Sequence, residues 1–138
     1  MQQDIRWKQR FENFKSTYKN LEPLEKIEIE SLNDFERGGY IKFFELSFEL
    51  LWKTIKDYLK ENKVVLKFTF PKTIIQEAAS FGLLQVIDIE GATLLDMLED
   101  RNKLVHTYDA KGMGKILATI KNDYLNMFKK FKKCGDEN

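Results

Sequence analysis

YIKFFELSFELLWKTIKDYLKEN, residues 40–62, decides the fold class. At roughly 100° per residue, Tyr40, Phe44, Phe48, Leu51, Ile55, Tyr58 and Leu59 share one face, and Phe43, Leu46 and Leu50 form a second stripe beside it. Lys42, Glu49, Lys53 and Lys60 take the remaining arc. This is a long helix, more apolar than a surface helix needs. A monomer rarely leaves such a stripe wet. Two arrangements would cover it: a central helix buried on two sides of its own bundle, or a seam between two copies of the chain.

The segments on either side carry the same helical period. Upstream, Trp7, Phe11, Phe14, Tyr18 and Leu21 recur at steps of four, three, four and three, which predicts a first helix over residues 4–20. A helical turn follows at Pro23, whose fixed φ suits a first helical position. Asn33 and Glu36 have the spacing of an N-terminal capping pair, but Gly38 and Gly39 weaken the start, so the long helix is expected from about Tyr40 to Asn62. Downstream, Val64 to Phe70 alternates weakly and has no second strand to pair with, which makes it an extended connection. Pro71 opens a short helix that Gly82 ends. Asp88 would cap a fourth helix through about His106, and a fifth would run from about Lys115 to Lys132, with the tail after Phe131 fraying. The expected architecture is all-α: an antiparallel four-helix up-and-down bundle with an additional short helix, as a single domain over residues 1–138.

Composition narrows the function. The 138 residues carry 23 Lys and Arg against 22 Asp and Glu, a net charge of +1, so nucleic-acid contact would have to be a local patch. One His and one Cys exclude an internal disulfide and leave no Cys/His cluster for a structural zinc site. Neither metal nor cofactor is expected. A mean hydropathy of −0.46 and the charged start (Asp4, Arg6, Lys8, Arg10) argue against a membrane span or signal peptide. A soluble, cytoplasmic protein is the expectation.

The pattern breaks in the fourth helix. Leu94, Met97, Leu98, Leu104, Val105 and Tyr108 define an apolar arc with Asp96, Asp100, Lys103 and Thr107 opposite, and Arg101 falls in the middle of the arc. A guanidinium left unpaired in a core costs several kcal/mol and does not readily neutralise, so Arg101 must meet an acid, a ligand or a cleft. On a continuous helix Asn102 and His106 project together and Tyr108 returns to nearly the bearing of Arg101. Taken singly, these residues read as a paired arginine, a surface histidine and a core tyrosine with its hydroxyl at the rim. Taken together, a group titrating near neutrality beside a fixed cation suits a phosphate-handling site.

Arg101-Asn102-Lys103-Leu104-Val105-His106-Thr107-Tyr108 resembles the R-x4-H-x-Y signature of HEPN domains, in particular the nucleotidyltransferase substrate-binding proteins. The stretch Phe43 to Leu59 is similar to that family's R-F-E-x-x-F-E-L-x-W-K-T-L-K-D-Y-L helix, and Pro71 to Gly82 to its short P-x-x-x-I-x-x-A helix. Leu95 to Asp100 leads into the motif and Asp109 follows it. Phe43 stands where the family often has Arg, Leu94 where it often has Trp, and Leu104-Val105 where small polar residues are common.

The resemblance implies a small helical bundle that forms a homodimer and works beside a cognate minimal nucleotidyltransferase. In one reading it is the toxin of a toxin–antitoxin pair, a metal-independent endoribonuclease acting on an RNA substrate. Arg101 would hold the scissile phosphate, His106 would act as general base or acid, and Asn102 would orient the site. Tyr108 would line the cleft and take AMP from the nucleotidyltransferase antitoxin. In another, the chain is a non-catalytic binding subunit presenting a substrate or nucleotide to the nucleotidyltransferase. In a third, Arg101 forms a dimer-specifying ion pair with an acid such as Glu45 or Glu49. The lysines at 129, 130, 132 and 133 are read as a solvated helix end without a role.

Overall fold

The computed structural model describes residues 5–106 and 109–138, with the backbone alone at His106 and Ala110. Helix α1 is Arg6–Leu21, and its whole predicted stripe, Trp7, Phe11, Phe14, Tyr18 and Leu21, is buried. Pro23 opens a 3-10 turn over Glu22–Lys26, and a second such turn spans Ile29–Ser31.

Helix α2, Asp34–Glu61, starts earlier than expected and runs through both glycines. Its capping pair is reciprocal: the Glu36 N–H donates to Asn33 Oδ1 at 2.8 Å and the Asn33 N–H to Glu36 Oε1 at 2.9 Å. The Arg37 guanidinium then donates to the carbonyls of Leu32 and Ile29, tying the first turn to the chain before it. These bonds offset the glycine cost. At its other end Lys63 takes φ of 63° and the Val64 N–H reaches back to the Leu59 carbonyl at 3.0 Å, a left-handed closure usually given to glycine.

An extended connection leads to α3, Pro71–Ser80. Gly82, at φ of 86°, turns the chain into one further turn of helix, α4, Leu83–Val86. Asp88 does not cap the next helix. It sits at φ of 56° and closes the turn after α4, so that α5 begins at Gly91 and ends at Lys103. A 3-10 turn, Leu104–His106, follows. Asp109 accepts from the Gly112 N–H at 2.6 Å and starts α6, Ala110–Thr119, earlier than the expected Lys115. A π turn, Ile120–Tyr124, joins α6 to α7, Leu125–Glu137. The tail is helical, not frayed: Gly135 lies against the Phe11 ring so closely that a Cβ would overlap it, and Lys15 pairs with Asp136 at 2.7 Å.

Pairs of side chains set the directions of the helices. Trp7 meets Tyr58, and Arg10 Nε pairs with the buried Asp57 at 2.6 Å, so α1 and α2 are antiparallel. Phe11 against Phe131 and Tyr18 against Phe128 make α1 antiparallel to α7. Asp100 bonded to Tyr124, the residue before α7, and Asp88, ahead of α5, paired with Lys130 do the same for α5 and α7, and Phe44 meets Phe128 across the core. This is the expected up-and-down all-α bundle of α1, α2, α5 and α6–α7, with α3 and α4 as the short additions. On α2, Phe44, Phe48, Leu51, Ile55 and Leu59 are buried, whereas the second stripe stays partly open, with Leu46 39% exposed. Among the described residues no helix is long and apolar enough to cross a membrane.

Candidate functional site

The last turn of α5 delivers Arg101 and Asn102 to a groove of about 350 Å³ between α5 and the middle of α2. Lys42, Glu45, Leu46 and Glu49 form its α2 wall, and Val105 closes the end. Arg101 is half-buried and its cation is answered. One guanidinium nitrogen pairs with Glu49 Oε1, and Nη1 donates to Asn102 Oδ1 at 2.9 Å. Glu49 is itself held: its Oε2 accepts from the indole N–H of Trp52 at 3.2 Å and lies 3.8 Å from Lys53. Lys42 stands 3.8 Å from Glu45 on the same wall. A guanidinium has five N–H donors, so these partners leave donors for an anion, which would have to share Arg101 with Glu49.

A second anchor holds the same turn from behind. Tyr124, at the end of the π turn, donates its hydroxyl to Asp100 and stacks on Phe44 at 5.6 Å and 11°. Burial and then the Asp100 hydrogen bond push the Tyr124 hydroxyl well above the usual tyrosine range. Adjacent residues, Asp100 and Arg101, thus clamp the end of α5 to the π turn before α7 on one side and to α2 on the other. Neither Asp100 nor Tyr124 was singled out from the sequence. Spacing along α5 placed Asp100 opposite the apolar arc, and no local signal pointed to its partner on another helix.

The predicted strip crosses a change of helix type. In place of the expected continuous helix through His106, α5 gives way to the 3-10 turn at Leu104, where successive side chains step by roughly 120°. Val105 consequently leaves the apolar arc and is 65% exposed, while Leu94, Met97, Leu98 and Leu104 remain buried. The structure brings Arg101 and Asn102 together and puts the backbone of His106 at the end of the 3-10 turn. Tyr108, and the side chain of His106, lie outside the described residues. Among the described residues no group of three or more His, Cys, Asp or Glu could hold a metal ion. The lysine run at the end of α7 is partly paired within the chain, Lys129 with Glu25 at 3.0 Å and Lys130 with Asp88 at 3.3 Å.

Fold and groove define an all-α bundle protein with an arginine-bearing cleft between α2 and α5. The chain belongs to the family described as nucleotidyltransferase substrate binding protein like, which it matches over residues 9–135. It is similar to a protein of Thermus thermophilus known from its crystal structure, at 28% identity over 88% of this chain and 98% of that one, with a TM-score of 0.73. No curated protein matches it.

Proposed function

We propose that this chain is the helical partner of a minimal nucleotidyltransferase and, within that pair, a HEPN-type toxin: a metal-independent endoribonuclease. The observation that carries the reading is Arg101, a half-buried guanidinium facing an open groove with donors left over, five residues before the chain's one histidine. In this mechanism Arg101 grips the scissile phosphate and Asn102 fixes the guanidinium. His106 takes the proton of the ribose 2′-hydroxyl as its oxygen attacks phosphorus. The bond from phosphorus to the 5′-oxygen breaks, the leaving oxygen gains a proton, and a 2′,3′-cyclic phosphate remains. The partly open stripe of Phe43, Leu46 and Leu50, beside exposed Val105, supports a homodimer that sets two such grooves face to face. The nucleotidyltransferase would silence the pair by AMPylation: the Tyr108 hydroxyl oxygen attacks the α-phosphorus of ATP, pyrophosphate leaves, and the bound AMP obstructs the cleft.

The test is RNA cleavage by the purified protein in excess EDTA, with His106→Ala beside the wild type. General acid–base catalysis contributes on the order of 10²–10⁴-fold, so the variant should lose at least about a hundredfold in rate. Equal cleavage by both proteins would sink the reading. A non-catalytic substrate- or nucleotide-binding subunit is favoured by one observation, the Arg101–Glu49 pair, which leaves the groove of a single chain electrically balanced. That reading requires nucleotide binding that Arg101→Ala abolishes, with no cleavage by either protein.

A further inference from the structure

The connection from α2 to α3 carries a surface that the groove does not use. Phe68 and Phe70 are 54% and 66% exposed, and their rings lie nearly parallel, 17° apart with centroids at 6.4 Å. Neither belongs to the buried core. Lysines interleave with them: Lys60, Lys63, Lys67 and Lys72 are all exposed, and Lys67 Nζ lies 5.7 Å over the Phe68 ring. None of the four makes an ion pair among the described residues. With Glu61 the one acid between them, residues 60–72 carry a net +3, in a chain whose total is +1. The remainder of the molecule is therefore net negative, and its excess of positive charge is concentrated beside two exposed, aligned aromatic rings.

We propose that this connection is a contact platform for single-stranded RNA, with bases stacking on Phe68 and Phe70 and phosphates meeting the four lysines. Every base has a π face, so aromatic platforms bind single strands with little sequence preference, and neighbouring cations track the backbone. A protein-docking face would instead gather apolar area with lysine depleted from its centre. Here a lysine recurs every three to five residues through the exposed aromatics. The platform begins at the end of the same helix whose middle forms the Arg101 groove, about 18 Å away along the axis from Glu49 to Glu61 at 1.5 Å per residue. A strand bound on it can continue toward that groove. The choice of RNA over other single strands rests on the ribonuclease reading; the stacking surface does not.

The experiment is fluorescence anisotropy with a short fluorescein-labelled 2′-O-methyl oligouridylate, which cannot be cut, so that binding is read without chemistry. Phe68→Ala with Phe70→Ala should weaken binding about tenfold or more while leaving the helical circular dichroism unchanged. Lys63→Gln and Lys67→Gln should each lower the slope of log affinity against log salt by about 0.7. Failure of the wild type to bind, or equal affinity of wild type and double phenylalanine variant, overturns the platform. So does a loss confined to binding of the partner nucleotidyltransferase, which would make the surface a protein interface. Phenylalanine-dependent binding by a protein that cuts no RNA would keep the platform and remove the ribonuclease reading. Cleavage that depends on His106 and ignores both phenylalanines would do the reverse.

Discussion

Glu49, in the middle of α2, closes an ion pair on Arg101 at the last turn of α5. The pair is internal to one chain, so its first consequence is to join two helices of the bundle. Its second is that any phosphate reaching Arg101 must compete with a carboxylate already in place. Replacing Glu49 by Gln keeps the shape and removes that competitor. Glu49→Gln should bind inorganic phosphate several-fold more tightly than the wild type, and Arg101→Ala should not bind it. In urea unfolding, a double-mutant cycle of Glu49→Gln and Arg101→Ala should return a coupling energy on the order of 1 kcal/mol. Zero coupling would show that the contact contributes nothing to stability.

Alkaline pH should unfold the protein through its tyrosines. Burial raises the Tyr18 hydroxyl well above the ordinary tyrosine value, and burial with the Asp100 bond raises that of Tyr124. A raised folded value means the stabilisation is complete below about pH 10, where an unfolded tyrosine ionises, and is lost as pH rises beyond it. Each such group can add up to about 1.4 kcal/mol of loss per pH unit. Denaturant midpoints measured from pH 9 to 12 should therefore fall, and Tyr18→Phe should flatten the fall by one proton. An unchanged slope would mean that Tyr18 ionises without unfolding.

Three helical glycines should respond in opposite directions. A Cβ at Gly38 or Gly39 in α2 meets nothing within 4 Å, so Gly39→Ala should gain about 0.5–1 kcal/mol and a few degrees in Tm by relieving the helix of a glycine. At Gly135 a Cβ runs into the Phe11 ring, which is buried between Phe14 and Phe131. Gly135→Ala should cost about 1–3 kcal/mol by overpacking. Calorimetry of the two variants checks both signs.

The stripe of Phe43, Leu46 and Leu50 tests the dimer. Leu46→Glu with Leu50→Glu should reduce the sedimentation mass to that of one 16.4 kDa chain without loss of helix. An unchanged mass would favour a bundle that covers this stripe within one chain.

Much of the fold was legible because helical periodicity is a property of one segment at a time. The stripe from Trp7 to Leu21 and the face from Phe44 to Leu59 could be read off their spacing, and both are buried. The errors fall at helix ends. Asp88 and Asp109 are both acids ahead of an apolar-periodic segment, yet Asp109 caps a helix and Asp88 takes a left-handed φ. The decision rests on how the neighbouring chain packs, with Ile87 and Ile89 buried on either side of Asp88. Gly38 and Gly39 argued against an early start to α2, but the reciprocal bonds of Asn33 and Glu36 and the reach of Arg37 outweighed them.

The candidate site divides in the same way. By itself the sequence determined that Arg101 could not sit alone on an apolar arc, because burying a guanidinium without a partner costs more than the arc can return. It also determined the all-α class and the motif that ends in His106 and Tyr108. Only the tertiary structure decided which acid answers Arg101. It chose Glu49 over Glu45, turned Val105 outward through a 3-10 turn, and bound Asp100 to Tyr124. The physical reason is that periodicity fixes which way a side chain points from its own helix, whereas a partner is fixed by the register and distance between helices. That register is set by core contacts such as Phe44 against Tyr124, made by residues far apart in the chain.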